Sequence, residues 1–558
     1  MQWKHHRVIL VAAAPGSDSG LEPLNSRLLA CSVGQTSTTS TSTVHGGTSI
    51  LGYFPIDILQ DIFLLCLPFK KDQAPSRRDA PYLLTYVCRA WYKVVIGLRQ
   101  MWSTIILSAM DVPDLSPTQR QAGINHLKLC SSRSRDIAIK LYVRADFFAN
   151  PVFYDHVRRV SQQISHLSIT YPAPLMVSYE HTPFFPPSPS LDLHNLENFE
   201  IQNRRAFTRI SYSDFSHLHH IIQSSTSLKR NIVWVMSLTP KLCISPNLSN
   251  LQVLTLFGGH PISTCFYLLQ NAPTLEKLSI RVMSEQGVAS QMNGEHLIRP
   301  FIHRRIRNLA ISHQRTDISP FLENATLPSL QFLVVDRTPS KSRPVFSWSQ
   351  SQFLSFLRRS NCWLKCFQIL DQEILPSQLL EVLRLPNISR SLQCLGIQSY
   401  DATQMVVDDD LLEKLTLSET LGGTLGTNGK EGVPPARTLC PNLERLILFV
   451  PLRFSLSKLL SMFESRLHSD SSCDGMFPFK TLKHVEMDVY DEMKPSLDSL
   501  EKRGLVFTLF EPLLATPMPP NDRQQLLWQH YLARGLDDEV YDHDTGTWRP
   551  ADLTFVVS

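Results

Sequence analysis

At 558 residues, with 43% apolar and 19% charged side chains, the chain has the composition of a folded globular protein, long enough for roughly three or four average domains or one long repeat array. A net charge of +4 over this length is too small and too dispersed to argue for nucleic acid. No run reaches the roughly 18 apolar residues that a membrane helix needs, so neither nucleic acid nor membrane is an expected partner.

At the N-terminus, Lys4-His5-His6-Arg7 followed by Val8 to Ala14 loosely mimics a secretory leader, but the apolar run is short and Pro15 ends it. Residues 1–50 read as a Ser/Thr-rich disordered tail, dominated by the tract from Gln35 to Thr43. Residues 51–107 then hold short apolar helices, too little chain to bury an independent core beyond marginal stability. Pro55 suits the first turn of a helix, with Asp57 at the positive end of its dipole. Ile58, Leu59, Ile62, Phe63 and Cys66 recur at helical spacing as one wide apolar stripe, which Leu67-Pro68 stops. After a basic loop from Phe69 to Arg78, Asp79 can cap a second helix that buries Leu83, Leu84 and Val87. Trp91, Val94, Val95 and Leu98 form a third stripe, and Trp102 closes the unit before Ile105-Ile106-Leu107.

The order Pro55, Ile58-Leu59, Ile62-Phe63, then Val87-Cys88-Arg89-Ala90-Trp91, then Met101-Trp102 resembles an F-box. The wording is similar to the version common in F-box proteins of mushroom-forming fungi, where aspartate-alanine-proline (here Asp79-Ala80-Pro81) and valine-cysteine-arginine-x-tryptophan recur in this arrangement. Phe54 stands where a leucine is usual, and the loop at 69–78 is longer and more basic than the short form. The resemblance implies a substrate-receptor subunit of a cullin-type ubiquitin ligase. The F-box would dock on a Skp-type adaptor, and through it on a cullin, while another part of the chain holds a protein target. Adaptor contacts would come from Phe54, Pro55, Ile58, Leu59, Ile62 and Phe63, with Val87, Cys88 and Trp91 in support. Such a receptor performs no chemistry; it supplies effective concentration and orientation. It is expected inside the cell, in cytoplasm or nucleus. The bare residues also fit a plain helical bundle at the edge of a larger domain, and a non-ligase interaction scaffold stays open as the second reading.

From about 120 to 510 the chain repeats. An apolar-x-x-apolar-x-apolar motif recurs as Ile164/Leu167/Ile169, Leu196/Phe199/Ile201, Leu251/Leu254/Leu256 and Leu275/Leu278/Ile280. It continues as Ile306/Leu309/Ile311, Leu330/Leu333/Val335, Leu364/Phe367/Ile369, Leu392/Leu395/Ile397, Leu443/Leu446/Leu448 and Leu482/Val485/Met487, with Leu228/Asn231/Val233 filling a gap. The period is that of a leucine-rich-repeat solenoid, in which each strand-plus-helix unit buries its apolar face only against its neighbours. Helices are expected over Ser263–Gln270, Ser351–Arg359, Ser377–Leu383 and Leu456–Leu467. The asparagine or cysteine ladder that follows the strands in that family is mostly missing, so the array is irregular. Leu412/Leu415/Leu417 also fits the motif, but Asp408-Asp409-Asp410 marks it as the start of a helix. Gly422 to Arg437 reads as a flexible insertion.

The expected fold is therefore α/β: a small three-helix F-box, then a leucine-rich-repeat-like solenoid of parallel strands with its specificity on solvent-facing strand positions. Residues 511–558 read as a proline-broken cap, with a helix over Asp522–Arg534 and an acidic finish.

Chemistry-bearing motifs are sparse. The eleven cysteines contain no paired CxxC, only Cys362-x-x-x-Cys366, and read as reduced buried thiols. His217-Leu218-His219-His220 and Asp542-His543-Asp544 lack the second cluster a metal needs. No phosphate loop, dinucleotide fingerprint, nucleophile elbow or HExxH helix is present, so neither an enzyme nor a cofactor is expected. The basic run His303-Arg304-Arg305-Ile306-Arg307 overlaps an expected strand and is a candidate for its exposed face.

Overall fold

Strand, turn, helix or loop, then the next strand beside the last: this succession runs through the chain. The computed structural model describes residues 55–67, 78–107, 115–171, 184–186, 191–203, 212–234, 248–283, 299–314, 316–337, 348–399, 406–417, 439–450, 454–467, 481–488, 493–510, 539–542 and 547–550. Two compact units are Met1–Pro55 and Ile56–Ser558, and of the first only Pro55 is described. The expected tail at 1–50, the insertion at 422–437 and the helix at 522–534 lie outside the described residues.

The second unit opens with three short helices, α1 (Ile56–Leu65), α2 (Tyr82–Val87) and α3 (Arg89–Gly97), and a 3-10 turn at Arg99–Trp102. The strands are β1 (Thr104–Leu107), β2 (Ile139–Arg144), β3 (Ile164–Tyr171), β4 (Asn198–Asn203), β5 (Arg230–Trp234), β6 (Val253–His260), β7 (Lys277–Met283), β8 (Phe301–Ile302) and β9 (Asn308–Gln314). They continue as β10 (Ala325–Thr326), β11 (Phe332–Arg337), β12 (Cys366–Leu370), β13 (Cys394–Gln398), β14 (Arg445–Phe449), β15 (His484–Asp488), β16 (Val506–Phe510), β17 (Glu539–Asp542) and β18 (Thr547–Pro550). Fourteen of them form one sheet in chain order, leaving out β8 and β10, which pair with each other, and β17 and β18, which pair antiparallel. Every pairing in the large sheet is parallel, so the fold is α/β and solenoid-like, as the motif spacing predicts.

Between the strands lie α4 (Pro117–Ser134), α5 (Pro151–Arg159), α6 (Tyr212–Ser224), α7 (Ile262–Asn271), α8 (Ser319–Asn324), α9 (Gln350–Ser360), α10 (Pro376–Leu383), α11 (Pro386–Ser391), α12 (Asp409–Leu415), α13 (Leu456–Leu467) and α14 (Lys494–Glu501). The four helices expected from periodicity correspond to α7, α9, α10 and α13, with ends within one residue. α12 starts where the acidic run signals it: the Asp408 carboxylate accepts a hydrogen bond from the Leu411 N–H at 2.8 Å.

The repeating motif explains the core. Leu364, Phe367 and Ile369 in one repeat, and Leu392, Leu395 and Ile397 in the next, are all at most 1% exposed. Parallel register stacks them, Phe367 opposite Leu395 and Ile369 opposite Ile397. Helix faces such as Leu459, Met462 and Phe463 close the other side. The sheet begins at Thr104, inside the segment expected to be wholly helical, because Trp102, Ile105 and Leu107 already carry the strand spacing and are buried. β2 escapes the motif search because a register shift between Ile139 and Lys140 displaces its first apolar position.

A backbone ladder replaces the missing side-chain ladder. The carbonyl just before a strand accepts N–H bonds from two consecutive residues of the next repeat. Glu197 O takes Lys229 and Arg230 (2.9 and 3.0 Å), Arg307 O takes Gln331 and Phe332 (2.8 and 2.9 Å), and Lys365 O takes Gln393 and Cys394 (2.8 and 2.9 Å). Asparagine amides in the turns before some strands add to it: Asn195 Nδ2 donates to Gln162 O at 2.7 Å and Asn442 Nδ2 to Arg390 O at 2.6 Å. Each repeat therefore satisfies the backbone of its neighbour, which buried strands require.

Candidate functional site

α1 shows how one apolar stripe is divided. Leu59 and Phe63, four residues apart, turn inward and are buried, while Ile58 and Ile62, on the adjoining face, are 46% and 42% exposed. Phe63 packs its ring 4.8 Å from that of Trp91 on α3. The 3-10 turn completes the interior: Trp102 is fully buried and its indole N–H donates to the Val95 carbonyl at 2.9 Å. On α2 only Leu84 is buried; Leu83 and Val87, expected to face inward, are exposed, with Tyr86 beside them. A six-residue helix offers one narrow inward face, and the spacing of Leu83, Tyr86 and Val87 is that of a second face. Asp79 does not cap α2, which starts at Tyr82 with Pro81 in the cap position.

These helices are fastened to the first repeat through α4. Tyr82 bonds through its hydroxyl to His126 Nδ1, Cys130 Sγ lies 3.6 Å from the same ring nitrogen, and the Arg133 guanidinium sits 4.1 Å over the Trp102 ring. Burial pushes the His126 imidazole down to about 4 and the Cys130 thiol up to about 12, and raises the Tyr82 phenol, so all three are neutral.

The residues expected to meet an adaptor therefore separate into three groups. Pro55, Ile58, Ile62 and Val87 are exposed. Leu59 and Phe63 belong to the core, Trp91 is half-buried against Phe63, and Cys88 is the N-cap of α3, its sulfur accepting from the Trp91 N–H at 3.5 Å. Phe54 lies outside the described residues. Exposed Ile56, Leu65, Leu83, Tyr86 and Tyr92 join the first group, and pattern reading alone missed them because it assigned helical apolar residues to the interior. Of the thirteen exposed large apolar side chains among the described residues, eight lie between Ile56 and Tyr92. Most of the exposed large apolar side chains among the described residues thus lie in this segment.

The sheet face opposite the helices behaves differently. Its strand positions, expected to face solvent, include Ser168, Glu200, Thr255, Ser279, Gln368 and Glu486, and all are buried. Strands about 4.8 Å apart let long side chains lie across their neighbours. Gln368 lies over Gly396 so closely that a Cβ there would be 2.8 Å from its Cγ. Charges on this face are matched: Arg144 with Asp146 at 2.9 Å, Arg445 Nε with Glu486 at 3.1 Å, and Ser312 Oγ donating to Asp336 at 2.8 Å. Burial raises the Asp336 carboxyl to about 6 against the opposing pull of Ser312 and Arg281.

Near the ends of β9, β11 and β12, His313, Asp317, Arg337, Trp348 and Gln372 line a cleft of about 20 Å³, room for a single water. His313 is fixed within it, Nδ1 donating to Thr316 O at 3.1 Å and Nε2 accepting from the Gln372 amide at 3.0 Å. Burial holds its imidazole at about 4. The basic run at 303–307 precedes β9 instead of joining it: His303 is buried and bonds the Ala272 carbonyl at 2.9 Å, while Arg304, Arg305 and Arg307 project from the turn. Cys362 and Cys366 are buried, and His217 on α6 stacks 5.5 Å from Phe185. Among the described residues no cluster of His, Cys, Asp or Glu is arranged to hold a metal, and no helix is long and apolar enough to cross a membrane.

No protein-family model matches the chain, and no curated protein matches it in sequence.

Proposed function

We propose that the chain is a substrate receptor of an SCF-type cullin ubiquitin ligase, its α1–α3 segment an F-box that docks a Skp-type adaptor and its sheet an irregular leucine-rich-repeat-like array that holds a protein target. The observation that carries this reading is the crowding of exposed apolar side chains on α1, α2 and α3, in the segment whose residue order resembles an F-box. Exposed Ile58 and Ile62 on α1 and Leu83, Tyr86 and Val87 on α2 support a helix-packing partner, since such interfaces draw most of their energy from a few central apolar and aromatic anchors. The sheet, with its strand face buried and charges such as Arg144–Asp146 and Arg445–Glu486 paired, supports the role of a stiff holder.

Co-precipitation of the Skp-type adaptor and cullin tests it, comparing the native chain with a Pro55→Ala/Ile62→Asp double variant. The expected outcome is capture of both by the native chain and of neither by the variant, because a carboxylate cannot be buried unpaired in an apolar interface. Capture of neither by the native chain overturns the reading. Capture of adaptor without cullin transfers the chain to a non-ligase scaffold role.

A further inference from the structure

Arg466, on α13, is fully buried, yet its three hydrogen bonds go to backbone carbonyls and none to a carboxylate. Its Nε donates to the Leu415 carbonyl at 2.8 Å, Nη2 to Leu439 O at 2.9 Å and Nη1 to Cys440 O at 3.0 Å. Leu415 ends α12, and Leu439 and Cys440 resume the described chain after residues 418–438. One planar guanidinium thus grips the chain on both sides of that interval. Its charge faces the carbonyl end of α12, where a cation is favoured. The Cys440 thiol, pushed up to about 12 by burial, offers no anion in compensation.

The neighbouring bonds converge on the same point. The Leu417 N–H donates to Ser465 Oγ at 3.1 Å, and the Leu439 N–H reaches back to the Lys414 carbonyl at 3.3 Å. Leu417 and Leu439, at the two edges of the interval, are both held within one hydrogen-bonded knot. Lysine cannot replace the arginine here, since one ammonium cannot present a rigid fork to three carbonyls.

We propose that Arg466 closes this repeat in place of the backbone, so that the positions of α12 and β14 do not depend on chain continuity across residues 418–438. The interval can then be cut, shortened or lengthened without disturbing the sheet on either side.

The test inserts a protease recognition sequence within 418–438 of the full chain and follows hydrogen–deuterium exchange in peptides covering 409–417 and 439–449, before and after cutting. In the native chain both peptides are expected to keep their protection after the cut. In Arg466→Lys the same cut is expected to raise exchange in both by about tenfold or more, as the ends fray. Loss of protection in the cut native chain overturns the proposal. Equal protection in cut Arg466→Lys and cut native chain also overturns it, by showing that other contacts hold the ends. A Ser465→Ala variant, which keeps Arg466, serves as a second probe if Arg466→Lys fails to fold uncut; its cut form is expected to fray at 417 at most, and fraying at both ends overturns the assignment.

Discussion

α1–α3 and the parallel sheet use the same apolar residues to opposite ends. In the sheet the inner strands are flanked by strands on both sides and the core face is closed by helices, and even Ser168, Thr255 and Glu486 are hidden. The helical segment is short, cannot enclose its own apolar surface, and leaves Ile58, Ile62, Tyr86 and Val87 in solvent. The difference teaches that apolar periodicity says a face wants covering, while chain length and topology decide whether the same chain covers it.

The comparison can be broken most forcefully in the sheet. Phe367→Ala removes a fully buried ring stacked with that of Phe353 and is expected to cost about 3 to 5 kcal/mol, read as a lower urea midpoint. Next in size, Gly396→Ala forces a Cβ against Gln368 and is expected to cost about 1 to 3 kcal/mol, with most of the loss recovered in the Gly396→Ala/Gln368→Ala double variant. Failure of the second change to rescue the first would place the strain elsewhere.

Acid sharpens the contrast, because the buried histidines lie in the repeats and at their junction with α2. Burial holds His126, His260 and His313 at about 4, below the ordinary 6.5. Between those values the unfolded chain binds more protons than the folded one, so the stability these rings contribute is complete above pH 6.5 and lost as pH falls toward 4. Asp336 opposes this: with its carboxyl raised from 3.8 to about 6, its contribution is complete below 3.8 and lost as pH rises through 6. Three rings outweigh one carboxyl, so the urea midpoint is expected to fall from pH 6.5 to 4, and more steeply in Asp336→Asn. The smallest effect belongs to the exposed Lys458–Glu413 pair, where Lys458→Ala is expected to leave the melting temperature unchanged.

Much of the sheet is legible in the sequence because a core position repeated in each unit leaves a period. Leu392/Leu395/Ile397 announces both a strand and its buried face. β1 is hidden because Trp102 reads as the close of the helical unit and the repeats as starting only near residue 120, and β2 because a bulge displaces Ile139. At the candidate site the residues were legible and their directions were not. Ile58 and Leu59 are chemically alike, and only the packing of α1 against α3 and the 3-10 turn separates core from surface. The grip of Arg466 on Leu415, Leu439 and Cys440 joins positions far apart in sequence, and no local pattern marks such a contact.

Adjacent residues of α1 offer the most direct test of the account. Purified Ile62→Asp and Phe63→Ala chains would each be measured for thermal unfolding and for binding of a purified Skp-type adaptor. Ile62→Asp is expected to melt with the native chain and to lose the adaptor; Phe63→Ala is expected to melt lower, by about 3 kcal/mol or more of stability. An Ile62→Asp chain that binds the adaptor as well as the native one would contradict the assignment of this face to docking.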